Sequence, residues 1–410
     1  QKRRYKQKPP APFDLTTLQT EAYRHHKIPP SDTLKIAQEL YTNALISYPR
    51  TSSQQIPQEI NLKEILERLH IQAYYRDIVE ELLAKDKLTP ANGKKTDPAH
   101  PAIHPTGECP NHLEGRKAKI YDLIIRRFFA TLGDPAVRQS IKIQLDNNGE
   151  GFKADGTSTV EPGWHRHYGS YAKFDEKLLP DLEKNQQVEV KEVLIHEKQT
   201  QPPKRYTPAS IVRELEKRNL GTKATRSQIV DILFKRGYLD GKSIEVTPLG
   251  MKVVETLKKY CPAVLEDKLT HGFEERMEQI QENKLTQNEV VEQAEKTITE
   301  ISEDFKRKED KIGQALAGTL IQTQRHINSL GDCPSCGKTL VKRMSRQGKR
   351  FIGCTGYPNC TYTTPLPQRG KLEKAGECKQ CRLPMMKLIR KGRRPWIFCI
   401  NPDCPSKKNR

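Results

Sequence analysis

Eight of the chain's ten cysteines follow Gly331, and their spacing repeats. Cys333 and Cys336 form a C-x2-C pair, followed after seventeen residues by Cys354 and, with five residues between, by Cys360. Cys378 and Cys381, a second gap of seventeen residues, then Cys399 and Cys404 with four residues between them give the same pattern again. Each set offers a thiolate pair in a tight knuckle and a second pair one strand length away, which suits tetrahedral zinc with sulfur at about 2.3 Å. Segments this small bury little apolar core, so a bound metal supplies folding free energy directly. Spacing alone leaves iron–sulfur ligation and redox cysteines open. Four thiolates per ion leave no vacant coordination position, which argues for structural rather than catalytic zinc. Only Cys109 and Cys261 precede residue 330, a distribution that fits metal-bound thiolates in a reducing compartment better than disulfides of a secreted domain.

A chain of 410 residues is long enough for roughly 2–4 domains. Lys and Arg number 71 against 51 acidic residues, a net charge of +20, which calls for a polyanionic partner. Nucleic acid is the leading choice and a membrane surface its rival. No apolar run reaches the roughly eighteen residues of a membrane span, and QKRRYKQKPP lacks the apolar stretch of a signal peptide. The first residue is Gln, so a fragment or processed product is expected.

Along the chain, residues 1–12 read as a basic, proline-rich strand end or connector. PFDLTTLQTEAY reads as a helix entry capped by Thr16 or Thr17. Residues 60–71, 74–83 and 116–132 read as amphipathic helices, the last with Ile120, Leu123, Ile124, Phe128 and Leu132 facing a core. Between them, AHPAIHPTGECP is a proline-stiffened loop. The period changes over 136–200, where SIKIQL, VEVKEVLI and the turn Asn147-Asn148-Gly149 predict antiparallel strands. From 204 to 315 the pattern is helical again, with a helix, helix, short strand pair order that is winged-helix-like. Lys342, Arg343, Arg346, Lys349 and Arg350 surround the first cysteine set, and Arg390, Lys391, Arg393 and Arg394 the second. Beside Phe351, Tyr357 and Trp396 they suit single-strand binding by backbone contact and base stacking, with a solvated charged face as the competing reading.

The stretch SDTLKIAQELYTNALISYPRTSS, residues 31–53, carries the candidate chemistry. Ser31 is placed to cap a helix whose apolar face is Leu34, Ala37, Leu40, Tyr41 and Ala44, continuing through Leu45 and Ile46 until Pro49 stops it. Tyr48 then sits at the helix end, followed by Arg50 and three hydroxyls, Thr51, Ser52 and Ser53. A phenol with a pKa of about 10 is a poor nucleophile until a cation or base assists it. Arg50 can give that assistance and bind phosphate oxygens. On local chemistry alone, a tyrosine packed in a core competes with a nucleophile.

PFDLTTLQTEAY and TLKIAQELYTNALISYPRTSSQQIP resemble the active-site region of type IA DNA topoisomerases, nearest to the archaeal topoisomerase I and III group. AHPAIHPTG, YDLIIRRFFA, TQPPKRYTPASIVRELEKRNLGTKATRSQIVDIL and the cysteine ribbons follow in that family's order, so the likeness covers nearly the whole chain. It implies that Tyr48 attacks a phosphodiester of single-stranded DNA, holds the 5′ phosphate and frees a 3′ hydroxyl. Arg50 is then the residue that positions and neutralises the scissile phosphate. Thr51 and Ser52 are weaker candidates for backbone contact, and many relatives carry Asp where Ser52 stands. His100 matches the family histidine near the reacting phosphate, while His104 occupies a variable position. Thr222, Lys223, Thr225 and Arg226 of GTKATRSQ are expected near the strand, against the plainer reading of that loop as a helix connector.

The expected architecture is multidomain and mainly α, with a β-rich arch segment, winged-helix-like units and two C-terminal four-cysteine zinc ribbons. Residues 1–9 are a linker, 10–135 a tyrosine-bearing helical lid, 136–203 the arch segment, 204–315 the helical strand-binding domain, and 330–366 and 375–408 the ribbons. Zinc in two structural sites is the expected resident metal. Magnesium is expected through a Toprim domain, which the family carries ahead of the segment seen here, so a Toprim-containing subunit or N-terminal segment is an expected partner beside DNA. Without that domain's general acid and metal, the phenol should cleave poorly. The chain lacks a Walker-type loop, in keeping with ATP-independent religation and relaxation of negative supercoils. The expected location is the cytoplasm, at the nucleoid. The alternatives are a non-catalytic single-strand binding or architectural protein, and the topoisomerase half of a reverse gyrase.

Overall fold

The computed structural model describes residues 1–390 and 392–405, so Lys391 and the expected ribbon end at 406–408 lie outside the described residues. The chain divides into two compact units: Gln1–Lys235 with Asp240–Glu245 and Asp267–Glu292, and Arg236–Leu239 with Val246–Glu266 and Gln293–Arg410. Among the described residues no helix is long and apolar enough to cross a membrane.

The first unit begins with strand β1 (Lys2–Gln7) and helix α1 (Leu15–His26). Asp14 caps α1: its carboxylate accepts the Thr17 N–H at 2.7 Å, and the Thr17 hydroxyl accepts the Asp14 N–H at 3.1 Å. A carboxylate is the better acceptor for the orphan amides of a first turn, so Asp14 takes the capping place assigned to Thr16 or Thr17. Helix α2 (Pro30–Thr42) likewise starts one residue before Ser31, because Pro30 presets the helical φ at N1 and needs no amide partner. Ser31 is buried inside the helix and does not cap it.

α2 buries Leu34, Ile36, Ala37 and Leu40, while Tyr41 and Ala44 are exposed rather than part of the apolar face. The helix stops at Thr42. Ala44 takes φ +58°, a left-handed turn that redirects the chain, so Leu45 and Ile46 enter the core outside the helix. Helices α3 (Leu62–Leu69) and α4 (Arg76–Leu83) follow, and then α5 (Gly115–Leu132), the centre of the helical body. Ile120, Ile124 and Phe128 lie on one stripe and Tyr121, Ile125 and Phe129 on the next, and all six are buried because α1, α2, α4 and α6 pack around this helix.

Strands β2 (Ala136–Asn147) and β3 (Glu150–Glu161) form a hairpin. Its two-residue turn, Asn148 (φ 55°) and Gly149 (φ 92°), has the paired positive φ of a type I′ turn, which matches strand twist. β1 joins the other edge of β2, from Lys2 opposite Ile141 to Gln7 opposite Ala136. Residues 2–7 are therefore a sheet strand, where a linker over 1–9 was expected. VEVKEVLI is not a strand: residues 187–207 carry no regular structure, and Val190, Val193, Leu194 and Ile195 are exposed. β2 is paired on both sides, by β1 and β3, and β3 carries an isolated bridge from Thr157 to Lys177. Helix α6 (Trp164–Tyr168) turns back onto α5. The corner is Gly163, at φ +47°, where a Cβ would meet the Asp134 carbonyl at 2.6 Å.

Helices α7 (Pro208–Lys217) and α8 (Arg226–Lys235) complete the part of this unit that bears on the site, α7 being capped by Thr207 with Ser210 as its reciprocal partner. Strands β4 (Leu239–Asp240) and β5 (Glu245–Val246) are two residues long, and helices α9 (Pro248–Tyr260), α10 (Asp267–Gln281) and α11 (Gln287–Asn328) follow.

In the second unit the cysteine-rich region forms two antiparallel sheets. Strands β6 (Ser329–Asp332), β7 (Thr339–Met344), β8 (Arg350–Cys354) and β9 (Thr363–Pro365) make one, in sequential order. Strands β10 (Lys371–Glu377), β11 (Pro384–Ile389) and β12 (Trp396–Cys399) make the other, so the second ribbon starts before the expected residue 375. Leu330, Leu340, Ile352, Leu366, Met386 and Ile400 form one apolar cluster with cysteines of both sets.

Because Phe129 is fully buried in the last turn of α5, Phe129→Ala is expected to cost about 3–5 kcal/mol. Asp14→Ala, which removes one cap, is expected to cost about 1 kcal/mol. Denaturant unfolding followed by tyrosine fluorescence measures both. A Phe129→Ala loss no larger than that of the cap variant would contradict this account of the core.

Candidate active site and metal centres

The candidate site is built from two loops laced together by backbone bonds. After the turn at Ala44, Ile46 bridges Pro105 in antiparallel sense and the Ser47 N–H donates to the His104 carbonyl at 2.9 Å. The Ser47 hydroxyl accepts the His104 N–H at 3.0 Å and donates to the Ala102 carbonyl at 3.2 Å. Beyond Tyr48, the Leu15 N–H donates to the Thr51 carbonyl at 3.0 Å, and the Ala102 N–H to the Gln55 carbonyl at 2.8 Å. Tyr48 is thus held by its neighbours in sequence on both sides.

The half-buried Tyr48 ring lies between two others. Its centroid is 4.5 Å from the His100 ring and 5.2 Å from that of Tyr41, which meets it edge-on. Tyr41, read from the sequence as a core residue, is instead a wall of the Tyr48 site. Arg50 is half-buried, and among the described residues its Nε is buried without a hydrogen-bond partner. A buried guanidinium donor left unpaired is costly, and an anion would satisfy it.

The hydroxyls after Arg50 have separate tasks. Thr51 is fully buried; its Oγ1 donates to the His100 carbonyl at 3.2 Å and accepts the Ser53 N–H at 3.0 Å. That engagement sets it apart from the strand contact expected of it: it ties the Tyr48 loop to the His100 loop. The Ser52 N–H and hydroxyl both donate to Asp97 Oδ2 at 3.0 Å. The two histidines also divide. His104 is buried with Nδ1 donating to the Pro105 carbonyl at 2.8 Å, and burial lowers its pKa. His100 is half-buried and keeps its ring against Tyr48.

Of the GTKATRSQ residues, Lys223 is joined to this site, donating to Asp97 Oδ2. Thr222 and Thr225 bond each other, the Thr225 hydroxyl accepting the Thr222 N–H at 3.0 Å, and Arg226 Nε donates to the Leu220 carbonyl at 3.2 Å. These three form the turn that starts α8. Burial opposes ionisation of Asp97, but Lys223 and the Ser52 and Ala99 amides outweigh it and hold the carboxyl well below the usual range. A second clasp is Lys95, which donates to Asp14 at 3.2 Å and to Glu216 at 2.9 Å; burial works against its charge, and those carboxylates raise its pKa regardless. Sequence reasoning missed Asp97, Lys95 and Asp14. The available signal was Asp97-Pro98, an Asx-type turn start whose Oδ1 accepts the Ala99 N–H at 3.1 Å.

Each cysteine set is gathered, with all four Sγ atoms within 4.8 Å of one another. Sγ separations are 3.8 Å for Cys333–Cys360, 3.3 Å for Cys336–Cys354, 3.6 Å for Cys378–Cys404 and 3.3 Å for Cys381–Cys399. A tetrahedron with Zn–S of about 2.3 Å has edges of about 3.8 Å, so both sets fit zinc. The Gly356 N–H donates to Cys354 Sγ at 3.2 Å and the Asn401 N–H to Cys399 Sγ at 3.4 Å, as metal-bound thiolates require. Arg343, Arg346, Lys349, Arg390, Arg393 and Arg394 are exposed around the ribbons, while Arg350 is turned inward to the carbonyls of Pro367 and Gly370. Tyr357 is exposed, and so is Trp396, which stacks on Phe398 at 4.6 Å.

Residues 1–292 match the family described as DNA topoisomerase, and residues 330–369 match the topoisomerase DNA binding C4 zinc finger. The chain is 46% identical over 410 residues to DNA topoisomerase 1 of Methanocaldococcus jannaschii, covering 99% of this chain and 53% of that protein. It is 42% identical over 408 residues to DNA topoisomerase 1 of Pyrococcus horikoshii, covering 98% of this chain and 59% of that protein. The chain therefore spans little more than half the length of these relatives. In fold it is similar to full-length topoisomerase I from Thermotoga maritima, with a TM-score of 0.55, 21% identity, and coverage of 96% of this chain and 60% of that one. With the family match covering well over half of its residues, the chain belongs to the type IA DNA topoisomerases.

Proposed function

We propose that this chain carries the strand-cleaving tyrosine of a type IA topoisomerase, and that the carrying observation is Tyr48 set against His100 in the same short loop as Arg50, whose Nε is buried without a partner among the described residues. The Tyr48 phenol gives its proton to a base of the Toprim module acting with this chain, and its oxygen attacks the phosphorus of a single-stranded DNA phosphodiester, forming the 5′-phosphotyrosine as the bond to the 3′ oxygen breaks. The departing 3′ oxygen takes up a proton. Arg50 binds the non-bridging oxygens, and His100 orients the ring or the phosphate. Religation reverses the step without ATP because the ester conserves the bond energy.

Ser52, Thr222, Lys223, Thr225 and Arg226 line the approach of the strand, and Thr51 supports the loop. The general acid and the magnesium chemistry belong, in this reading, to a Toprim module acting with this chain. The work of the assembled enzyme is relaxation of negative supercoils at the nucleoid, in the cytoplasm. The partition into a lid over 10–135, an arch segment over 136–203, a strand-binding domain over 204–315 and the two ribbons is part of the same proposal. The order α7, α8, β4, β5, α9 supports the winged-helix-like reading of its third part.

Combined with a Toprim-containing half and magnesium, the chain is expected to capture the label of a 3′-labelled single-stranded oligonucleotide as a covalent adduct. Tyr48→Phe should abolish it. Equal adduct from wild type and Tyr48→Phe, or none from either, would reject the reading.

Metal analysis of protein purified under reducing conditions is expected to find about two zinc ions per chain, one for each set of four thiolates. Cys333→Ser should lower the count towards one. Metal-free protein with folded ribbons would exclude structural zinc.

Binding of a non-cleavable single strand should weaken steeply with salt, log K falling against log salt with a slope of about −0.7 per phosphate contacted. A flat response would contradict binding through Lys and Arg contacts to the strand backbone.

A further inference from the structure

Asp97 collects donors from three separate segments. Its Oδ2 accepts the Ser52 N–H and the Ser52 hydroxyl, each at 3.0 Å, together with the Lys223 ammonium, and its Oδ1 accepts the Ala99 N–H at 3.1 Å. The side chain of Asp97 is 1% exposed, while that of Lys223 is 36% exposed. Each donor adjoins a residue with a part in strand cleavage: Ser52 follows Arg50 by two positions, Ala99 precedes His100, and Lys223 belongs to the turn of Thr222 and Thr225.

The asymmetry in burial matters. The carboxylate is enclosed and keeps its amide and hydroxyl donors whatever happens at Lys223, whereas the Lys223 side chain is partly exposed on its solvent side. A DNA phosphate arriving from that side competes with Asp97 for the same ammonium, at a distance where opposite charges interact strongly. While Lys223 is paired internally, it contributes little to strand affinity.

Building on the strand-cleavage reading above, we propose that Asp97 is a positioning residue for that reaction. It sets the Tyr48 and His100 loops in one register, and it withholds Lys223 until a strand phosphate displaces it. The inference has a signature that a purely structural carboxylate lacks, because removing the charge should loosen the loops and yet strengthen binding. Asp97→Asn frees one ammonium, so the salt slope for single-strand binding should steepen by about 0.7. Affinity at low salt should rise several-fold.

The test uses the 410-residue chain and a fluorescently labelled single-stranded oligodeoxynucleotide, titrated at several salt concentrations for wild type, Asp97→Asn, Lys223→Met and the double variant. The expected result is tighter binding and a steeper slope for Asp97→Asn, the opposite for Lys223→Met, and a double variant no tighter than Lys223→Met alone. In parallel, amide hydrogen exchange at Ser52 and Ala99 in Asp97→Ala should accelerate by about tenfold or more while residues of α5 stay unchanged. With a Toprim-containing half and magnesium, Asp97→Ala should form adduct about tenfold more slowly at saturating oligonucleotide without loss of affinity. Unchanged exchange at Ser52 and Ala99, or an Asp97→Asn chain that binds no more tightly than wild type, would overturn the inference. Failure of the wild type to form adduct would sink the cleavage reading instead, and the binding and exchange results would still decide the role of Asp97.

Discussion

The candidate site depends on the backbone pairing of residues 45–47 with 102–105. An irregular loop can enter a protein interior only if its amides and carbonyls find partners, and here each loop satisfies the other. Ile46 bridges Pro105, Ser47 exchanges bonds with His104 through backbone and side chain, and Thr51 reaches the His100 carbonyl. Tyr48 therefore occupies a fixed place without relying on contacts of its own reacting end. For the proposed displacement at phosphorus this is the useful arrangement, since orientation before reaction supplies much of the rate.

Charge in this unit is handled by pairing surplus cations with enclosed carboxylates. Asp14 and Asp97, each 1% exposed at the side chain, hold Lys95 and Lys223. Arg50 in the site and Arg138 in β2 depart from this, each with guanidinium nitrogen buried without a partner among the described residues, and within the site Arg50 is the point where an anion gains most. The cysteine ribbons follow a different economy. Their apolar cluster is small and shared by both sheets, and the Thr364 hydroxyl donates across to the Ile400 carbonyl at 2.9 Å. Metal must provide what so small a core cannot, and the shared cluster means that each metal centre supports the surroundings of the other.

The parts legible in the sequence are those where a physical period leaves a mark. α5 was readable because Ile120, Ile124 and Phe128 repeat at helical spacing, and the ribbons because tetrahedral ligation imposes its own spacing on cysteines. The Asn148-Gly149 turn announced its hairpin for the same reason, since few residues accept positive φ. Helix starts were harder. Ser31 and Thr17 look like caps, yet Pro30 and Asp14 decide where those helices begin. VEVKEVLI alternates as a strand should, but alternation states only that a segment can pair, not that it does.

The site itself was legible only in part, and Tyr48, Asp97 and the loop histidines show why. Local chemistry around Tyr48 left a core tyrosine and a nucleophile both open, and the family likeness, not the spacing, made the choice. Asp97 carried no local mark beyond an Asx-type turn start before Pro98, because its decisive partners are remote: Ser52 lies 45 residues away and Lys223 lies 126 away. A carboxylate between Thr96 and Pro98 in a polar stretch reads as a solvated loop until the fold brings those donors to it. Burial then sorts residues that look equivalent in sequence. His104, Thr51 and Ser52 are consumed by the loop framework, while His100, a few positions away, stays at its surface. Chemistry in this loop pair is therefore assigned by which polar groups the framework leaves unspent, a property of the pairing between 45–47 and 102–105 rather than of any residue type.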